Sequence, residues 1–255
     1  MGKDRPRGQA QGRVLNPDDL TGRPEGVRSR KVHGRRQGRP LRPGRKALLD
    51  NALPEIALRL PAPGARLDPA TLFDPPPADL WLEIGFGSGE HLAAQAAAHA
   101  NIGFIGCEPF LNGVTTFLKH AADRSLRNVR VFSDDARLVL EALPDASLGR
   151  AFILHPDPWP KKRHHRRRIV SQPVLDELAR VLRPGAELRL ATDHAEYGEW
   201  MLDQLAQTPH FRLVEQWRTP DRPDVADWPN SRYEQKALSV GIPCLYLKSV
   251  RRESA

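Results

Sequence analysis

Two cysteines in 255 residues are too few for a disulfide framework. Cys107 and Cys244 both sit in apolar, strand-like runs, and neither has metal-ligand spacing to another Cys or His. That usage fits a reducing compartment, and the cytoplasm is the expected location. Long apolar runs are missing as well. No stretch approaches the roughly 20 residues that a membrane span needs. The first residues are charged and rich in Gly and Pro, unlike a secretory leader. A membrane partner is therefore not expected, and no internal repeat is present.

Acidic charge is scarce in one part only. Residues 1–46 carry 14 Lys+Arg against 4 Asp+Glu, whereas the remainder carries 25 against 27. The net charge of +8 thus belongs to the first segment. A stretch rich in Gly, Pro and Arg buries too little apolar surface to fold alone. Residues 1–45 are expected to be a flexible basic arm that attracts phosphates, and residues 46–255 to be one folded domain. A second basic run, Lys161-Lys162-Arg163-His164-His165-Arg166-Arg167-Arg168, lies inside that domain. Its two histidines have no acidic or Cys partner at ligand spacing, so they read as part of a basic face and no metal is expected.

From Leu80 onward the pattern alternates between strand and helix. Strands are expected at Leu80–Ile84, Ile102–Cys107, Val129–Phe132, Leu148–Leu154, Glu187–Ala191, Phe211–Gln216 and Cys244–Val250. Helices are expected over Glu90–Ala100, Leu111–Arg124, Ala136–Leu143, Ile169–Leu182 and Ala195–Ala206, with a short one in Ala47–Leu60. Alternating units specify an α/β fold with a doubly wound, mostly parallel seven-stranded sheet. The last two strands are joined by a long polar loop, so the last strand is expected to be antiparallel. Ligands in such sheets bind outside the carboxyl ends of the strands. Glu83, Glu108, Asp134, Asp135, Asp157 and Asp193 all fall at those ends.

The first βα turn is Glu83-Ile84-Gly85-Phe86-Gly87-Ser88-Gly89-Glu90. Glycines at alternate positions let a backbone approach a ligand where a Cβ would clash. Glu90 stands where the dinucleotide fingerprint wants its third glycine, which favours S-adenosylmethionine over NAD. Glu108, at the tip of the second strand, suits the two hydroxyls of a ribose. Of Asp134 and Asp135 one is expected to cap the next helix and the other to accept from an adenine amine, with Asp135, before Ala136, taken for the nucleobase. After the fourth strand, three prolines in His155-Pro156-Asp157-Pro158-Trp159-Pro160 stiffen a loop that presents Asp157 and Trp159. An indole there offers a stacking face for a splayed base.

The chain resembles the bacterial tRNA (guanine-N7-)-methyltransferases. The resemblance rests on Leu82-Glu83-Ile84-Gly85-Phe86-Gly87, Gly106-Cys107-Glu108, Asp135-Ala136, Pro156-Asp157-Pro158-Trp159-Pro160-Lys161, Arg167-Arg168-Ile169-Val170, Ala191-Thr192-Asp193 and Ser231-Arg232-Tyr233-Glu234. Gly34-Arg35-Arg36-Gln37-Gly38-Arg39 is similar too, while the first 33 residues add nothing to the resemblance. The resemblance implies a Rossmann-like class I methyltransferase fold and methyl transfer from S-adenosylmethionine to N7 of guanosine 46 in the tRNA variable loop. It implies cofactor contacts from Glu83, Gly85, Gly87, Glu108, Asp135 and Asp157, with Asp157 also catalytic. It assigns substrate binding to Lys161, Asp193, Ser231, Arg232, Tyr233 and Glu234, with Ser231 standing where the family usually has Thr. The expected partner is tRNA and not DNA, with monomer and homodimer both open.

Three other readings are separable. A nicotinamide enzyme would want the glycine spacing that Glu90 breaks. A non-catalytic RNA-binding module would explain the basic runs but not the acids along the strand ends. An exocyclic-amine methyltransferase shares the acid, proline and aromatic pattern after the fourth strand, and differs in its product. If the basic runs bind phosphates, tRNA affinity falls steeply with added salt, and removing the arm flattens the slope. Filter binding over a salt series measures this, and an unchanged slope after truncation makes the tail a bystander.

Overall fold

The computed structural model describes residues 32–221, 228–229 and 232–253, without the side chains of Arg232 and Tyr233. The elements run α1 (Pro43–Asn51), α2 (Leu53–Ile56), β1 (Asp79–Ile84), α3 (Glu90–Ala98), β2 (Ile102–Cys107), α4 (Leu111–Asp123), β3 (Val129–Phe132) and α5 (Ala136–Ala142). They continue with β4 (Leu148–Leu154), α6 (Gln172–Val181), β5 (Leu182–Thr192), α7 (Ala195–Gln207), β6 (Phe211–Arg218), α8 (Arg232–Ser239) and β7 (Leu245–Arg251).

The seven strands form one sheet in the order β3-β2-β1-β4-β5-β7-β6. β1 pairs in parallel with β2 and β4, and β7 pairs antiparallel with both β5 and β6. Strands buried on both faces need apolar residues at every position, as in Leu80 to Leu82 of β1. Leu80, Leu82 and Ile84 pack with Val139, Leu175 and Met201 on the face covered by α5, α6 and α7. Trp81, Phe104 and Phe152 pack with Leu92 and Phe117 on the opposite face, under α3 and α4. The chain turns back at β1, so the carboxyl ends of β1 and β4 diverge into helices on opposite faces, which opens a crevice there.

Several boundaries differ from those expected. The helix over Ala47–Leu60 is two pieces, because Pro54 lacks an N–H and ends the first helix. Past it, Leu58 N–H donates to Val131 O at 2.8 Å, extending the sheet edge at β3. The helix expected from Ile169 starts at Gln172, after a 3₁₀ helix over Lys162–Arg167. β5 begins at Leu182, and a register shift between Leu148 and Arg150 absorbs Arg183-Pro184-Gly185. Helix α8 stands where a polar loop was expected, with Glu234 and Ala237 buried.

The boundary at residue 45 falls inside α1. Residues 36–39 are tied to the start of α4: Leu111 N–H donates to Arg36 O at 2.9 Å, Gly38 N–H to Asn112 Oδ1 at 2.9 Å, and Asn112 Nδ2 to Arg39 O at 3.0 Å. This part of the basic segment therefore belongs to the folded body, and residues 1–31 of the arm lie outside the described residues. A truncation that tests the arm alone must end at residue 31.

One side chain closes the α3–β2 turn. Asn128 Nδ2 donates to the carbonyls of Ala96 (3.0 Å), His99 (3.1 Å) and Ile102 (2.9 Å). Asn128→Ala leaves these acceptors without their donor and lowers unfolding free energy by about 1–3 kcal/mol. Urea denaturation measures the loss.

Candidate active site

The turn after β1 is shaped by three left-handed glycines, Gly85 (φ +76°), Gly87 (φ +56°) and Gly89 (φ +78°). Gly85 N–H still bonds to Cys107 O at 2.8 Å, so the turn leaves the sheet only after the β2 partner is satisfied. A Cβ at Gly85 would meet no protein atom within 4 Å, because the space before it is open cleft. On the other side the loop is backed by α4: a Cβ at Gly113 would overlap the Gly87 carbonyl.

Glu108 fixes this turn from the tip of β2. Its Oε2 accepts from Gly87 N–H at 2.8 Å and its Oε1 from Phe110 N–H at 2.8 Å. The residue is 7% exposed. Burial pushes its pKa up to about 7, against the lowering effect of the two backbone N–H bonds, and the Asp157 and Glu83 carboxylates push it further the same way.

The two aspartates after β3 divide their work. Asp135 is the N-cap of α5, accepting from Arg137 N–H at 3.0 Å, and its carboxylate also takes the Arg137 guanidinium. Asp134, 1% exposed, accepts from Arg36 Nη1 at 3.0 Å and from Asp135 N–H at 2.9 Å. Arg36 also donates to Ser133 O at 3.2 Å, so the N-terminal segment is anchored beside this loop.

After β4, His155 (φ +49°) and Trp159 (φ +45°) both take the left-handed conformation that L residues rarely adopt. Asp157 between them opens into the cleft, yet the walls strip enough solvent from its carboxyl to raise its pKa above the ordinary value. The indole of Trp159 has His33 and His164 edge-on at centroid distances of 6.2 and 5.9 Å. The Arg167 guanidinium lies over the ring at 4.9 Å, so that face holds a cation and is not free for a base.

These groups surround one cleft of about 740 Å³, within the range of nucleoside-sized ligands. Gly85, Gly87, Glu108, Asp135 and Asp157 all line it. His33, Gly34 and Arg35 close one wall. Composition assigned those residues to the arm; the Gly34–Arg39 resemblance was the signal that could have placed Gly34 and Arg35 otherwise.

Glu83 does not line the cleft. Strand alternation turns it onto the α3 face, where His91 Nδ1 meets its Oε2 at 2.7 Å and the pair is buried. A carboxylate inside an apolar layer needs such a donor. Glu83 thus stands in a buried pairing one layer behind the glycine turn. His91 was missed because only the helix register shows that it faces β1. Lys161 is exposed at the head of the 3₁₀ helix. Asp193, at the end of β5, stands outside the cleft but 3.8 Å from His155, which lines it. The His155 imidazole is the largest cause that holds the Asp193 carboxyl below its ordinary pKa. Glu234 is buried on α8 and does not line the cleft. Ser231 and the side chains of Arg232 and Tyr233 lie outside the described residues.

The cleft fits S-adenosylmethionine. The open space at Gly85 admits a ligand against bare backbone, and a buried carboxylate stands at the second strand for ribose hydroxyls. Fold and cleft together define a class I S-adenosylmethionine-dependent methyltransferase. The 16S rRNA methyltransferase KamB superposes with a TM-score of 0.53 at 18% identity, over 69% of this chain and 89% of that one. A 16S rRNA (adenine(1408)-N(1))-methyltransferase mutant from Catenulisporales acidiphilia does so with a TM-score of 0.50 at 18% identity, over 75% and 96%. These likenesses show the fold alone.

A family model described as "Putative methyltransferase" matches residues 77–246. The tRNA (guanine-N(7)-)-methyltransferase of Rhodospirillum rubrum is 48% identical over 227 residues, covering 88% of this chain and 89% of that protein. The enzyme of that name from Paramagnetospirillum magneticum is 49% identical over 216 residues, covering 84% and 90%. The chain belongs to the tRNA (guanine-N(7)-)-methyltransferase family.

The raised pKa of Glu108 has a consequence for binding. If Glu108 holds the ribose, the carboxylate ionised above about pH 7 accepts from both hydroxyls, and the group protonated below it loses acceptor capacity. Affinity for S-adenosylmethionine therefore falls as pH is lowered from about 8 to about 6. Glu108→Gln binds weakly across that range and flattens the profile. Calorimetry at a pH series reads both, and a flat wild-type profile rules the assignment out.

Proposed function

We propose that this protein methylates N7 of guanosine 46 in the variable loop of tRNA, with Asp157 acting at the transfer step. The observation that carries the reading is the shared cleft. Gly85, Gly87 and Glu108 form one end of it, and Asp157 opens into the same space beside a basic helix.

Bound in the cleft, S-adenosylmethionine supplies an electrophilic methyl group on a sulfonium. Guanine N7 already carries a free lone pair on its major-groove edge, so no base has to remove a proton from it. The work left to the protein is placement and charge. Asp157, held between Pro156 and Pro158, faces a guanine that gains positive charge as the new bond forms. Its carboxylate is costly to ionise in the partly desolvated cleft, and a cationic neighbour relieves that cost. Asp193 or Glu234 is the carboxylate that accepts from guanine N1–H and N2–H₂, which selects guanine over adenine. Lys161, Ser231, Arg232 and Tyr233 complete the assignment to substrate, and Glu108 and Asp135 to cofactor. The exposed Arg163 and Arg166 of the 3₁₀ helix, with Lys161 and Lys162, meet backbone phosphates. No helix among the described residues is long and apolar enough to cross a membrane, and the cytoplasm is the proposed location.

Unmodified tRNA incubated with the protein and S-adenosylmethionine, then cleaved by alkali at N7-methylguanosine, gives one new cut in the variable loop. No cut, or a cut elsewhere, contradicts the reading. Asp157→Asn keeps the side-chain shape and removes the charge. It lowers kcat on the order of 10²-fold with tRNA affinity little changed. A variant with normal kcat and weaker S-adenosylmethionine binding moves Asp157 from transfer to cofactor placement.

A further inference from the structure

Arg168 differs from the other cations of its run. Arg163 and Arg166 are exposed, whereas Arg168 is 3% exposed. Its guanidinium sits between the rings of Tyr197 and Trp200 on α7, 4.9 Å from each centroid. Nε donates to Pro158 O at 2.8 Å, and Nη2 donates to Glu196 Oε1 at 3.0 Å. His165 Nε2 stands 3.2 Å from the same Glu196 oxygen. The two rings also clip the chain just beyond: Trp200 Nε1 donates to Val170 O at 2.7 Å, and Tyr197 Oη accepts from Val170 N–H at 3.3 Å.

A buried cation needs a reason, since desolvating it is costly even between two π faces. The partner of Nε supplies one. Pro158 follows Asp157 directly, and Pro156 and Pro158 have no N–H with which to anchor the loop. Proline fixes φ but not where the loop as a whole sits. The Arg168 bond to the Pro158 carbonyl sets that position against α7. On its other side Arg168 is continuous with the phosphate-facing helix, its own N–H closing the last turn onto His165 O at 2.9 Å.

We propose that Arg168 is a positioning residue for methyl transfer: it fixes the Asp157 loop to α7 and ties it to the basic helix that meets tRNA phosphates. The proposal rests on the reading that Asp157 acts at the transfer step. A lysine at this place keeps the positive charge but lacks the planar fork that reaches Pro158 O and Glu196 together. The loop then shifts, and shifts on the order of 1 Å at a reacting group cost up to about 10²-fold in rate.

The test compares Arg168→Lys, Arg168→Ala and Asp157→Asn in full-length protein. Single-turnover rate at saturating tRNA, S-adenosylmethionine affinity by calorimetry and melting temperature are read for each. Arg168→Lys is expected to lose about tenfold or more in rate while its S-adenosylmethionine affinity stays at the wild-type level. Arg168→Ala leaves a guanidinium-shaped slot, and added methylguanidinium restores rate where methylammonium does not. A purely structural role predicts lower melting temperature with no selective rescue. Full rate in Arg168→Lys, or a loss in Arg168→Ala that both cations restore equally or neither restores, overturns the proposal. If Asp157→Asn is crippled while Arg168→Lys is not, only the role of Arg168 fails. If Asp157→Asn keeps full rate, the reading beneath it fails.

Discussion

Glu108 ties the glycine turn after β1 to the tip of β2. Its carboxylate takes one N–H from the glycine turn after β1 and one from the start of α4, while itself standing at the tip of β2. The glycine turn and the β2–α4 connection are thereby set to a common point. The glycines alone would leave the turn free to adopt many conformations, because they remove steric restraint and add none. Gly113 closes the arrangement from behind, since only a residue without a Cβ lets α4 approach the Gly87 carbonyl. The cost is a carboxylate that resists ionisation near neutral pH.

The acids of the cleft were readable because a parallel sheet places its strand ends on one edge. Counting strands put Glu108, Asp135 and Asp157 there, and each lines the cleft. Glu83 was misplaced because position at a strand end does not say which face the side chain takes. Its neighbour His91 comes from a helix whose register the sequence leaves ambiguous. The segment around Arg36 has no apolar run to mark it as folded. Its order comes from polar contacts with Asn112 and Asp134, residues 76 and 98 positions away from Arg36. Helix α8 escaped for a related reason, since one of its buried positions is Glu234, a residue that patterning counts as exposed.

The basic residues fall into two groups with different physics. Arg163 and Arg166 stay in water, where their charge is screened by salt. Arg36 and Arg168 are bound to the protein itself, one to Asp134 and one to Glu196 and a backbone carbonyl. The same residue type thus stands in water on the surface and joins separate loops beneath it.

The position of β7 has a consequence for how the chain is made. β6 pairs with β7 and not directly with β5, although β6 precedes β7 in the chain. During synthesis β5 is complete some fifty residues before its neighbour emerges. Until residues 245–251 leave the ribosome, the growing chain carries an open strand edge on β5 and a β6 with nowhere to dock. Such edges invite pairing with other chains. A ribosome that stalls before residues 245–251 therefore leaves β5 and β6 without the strand that joins them.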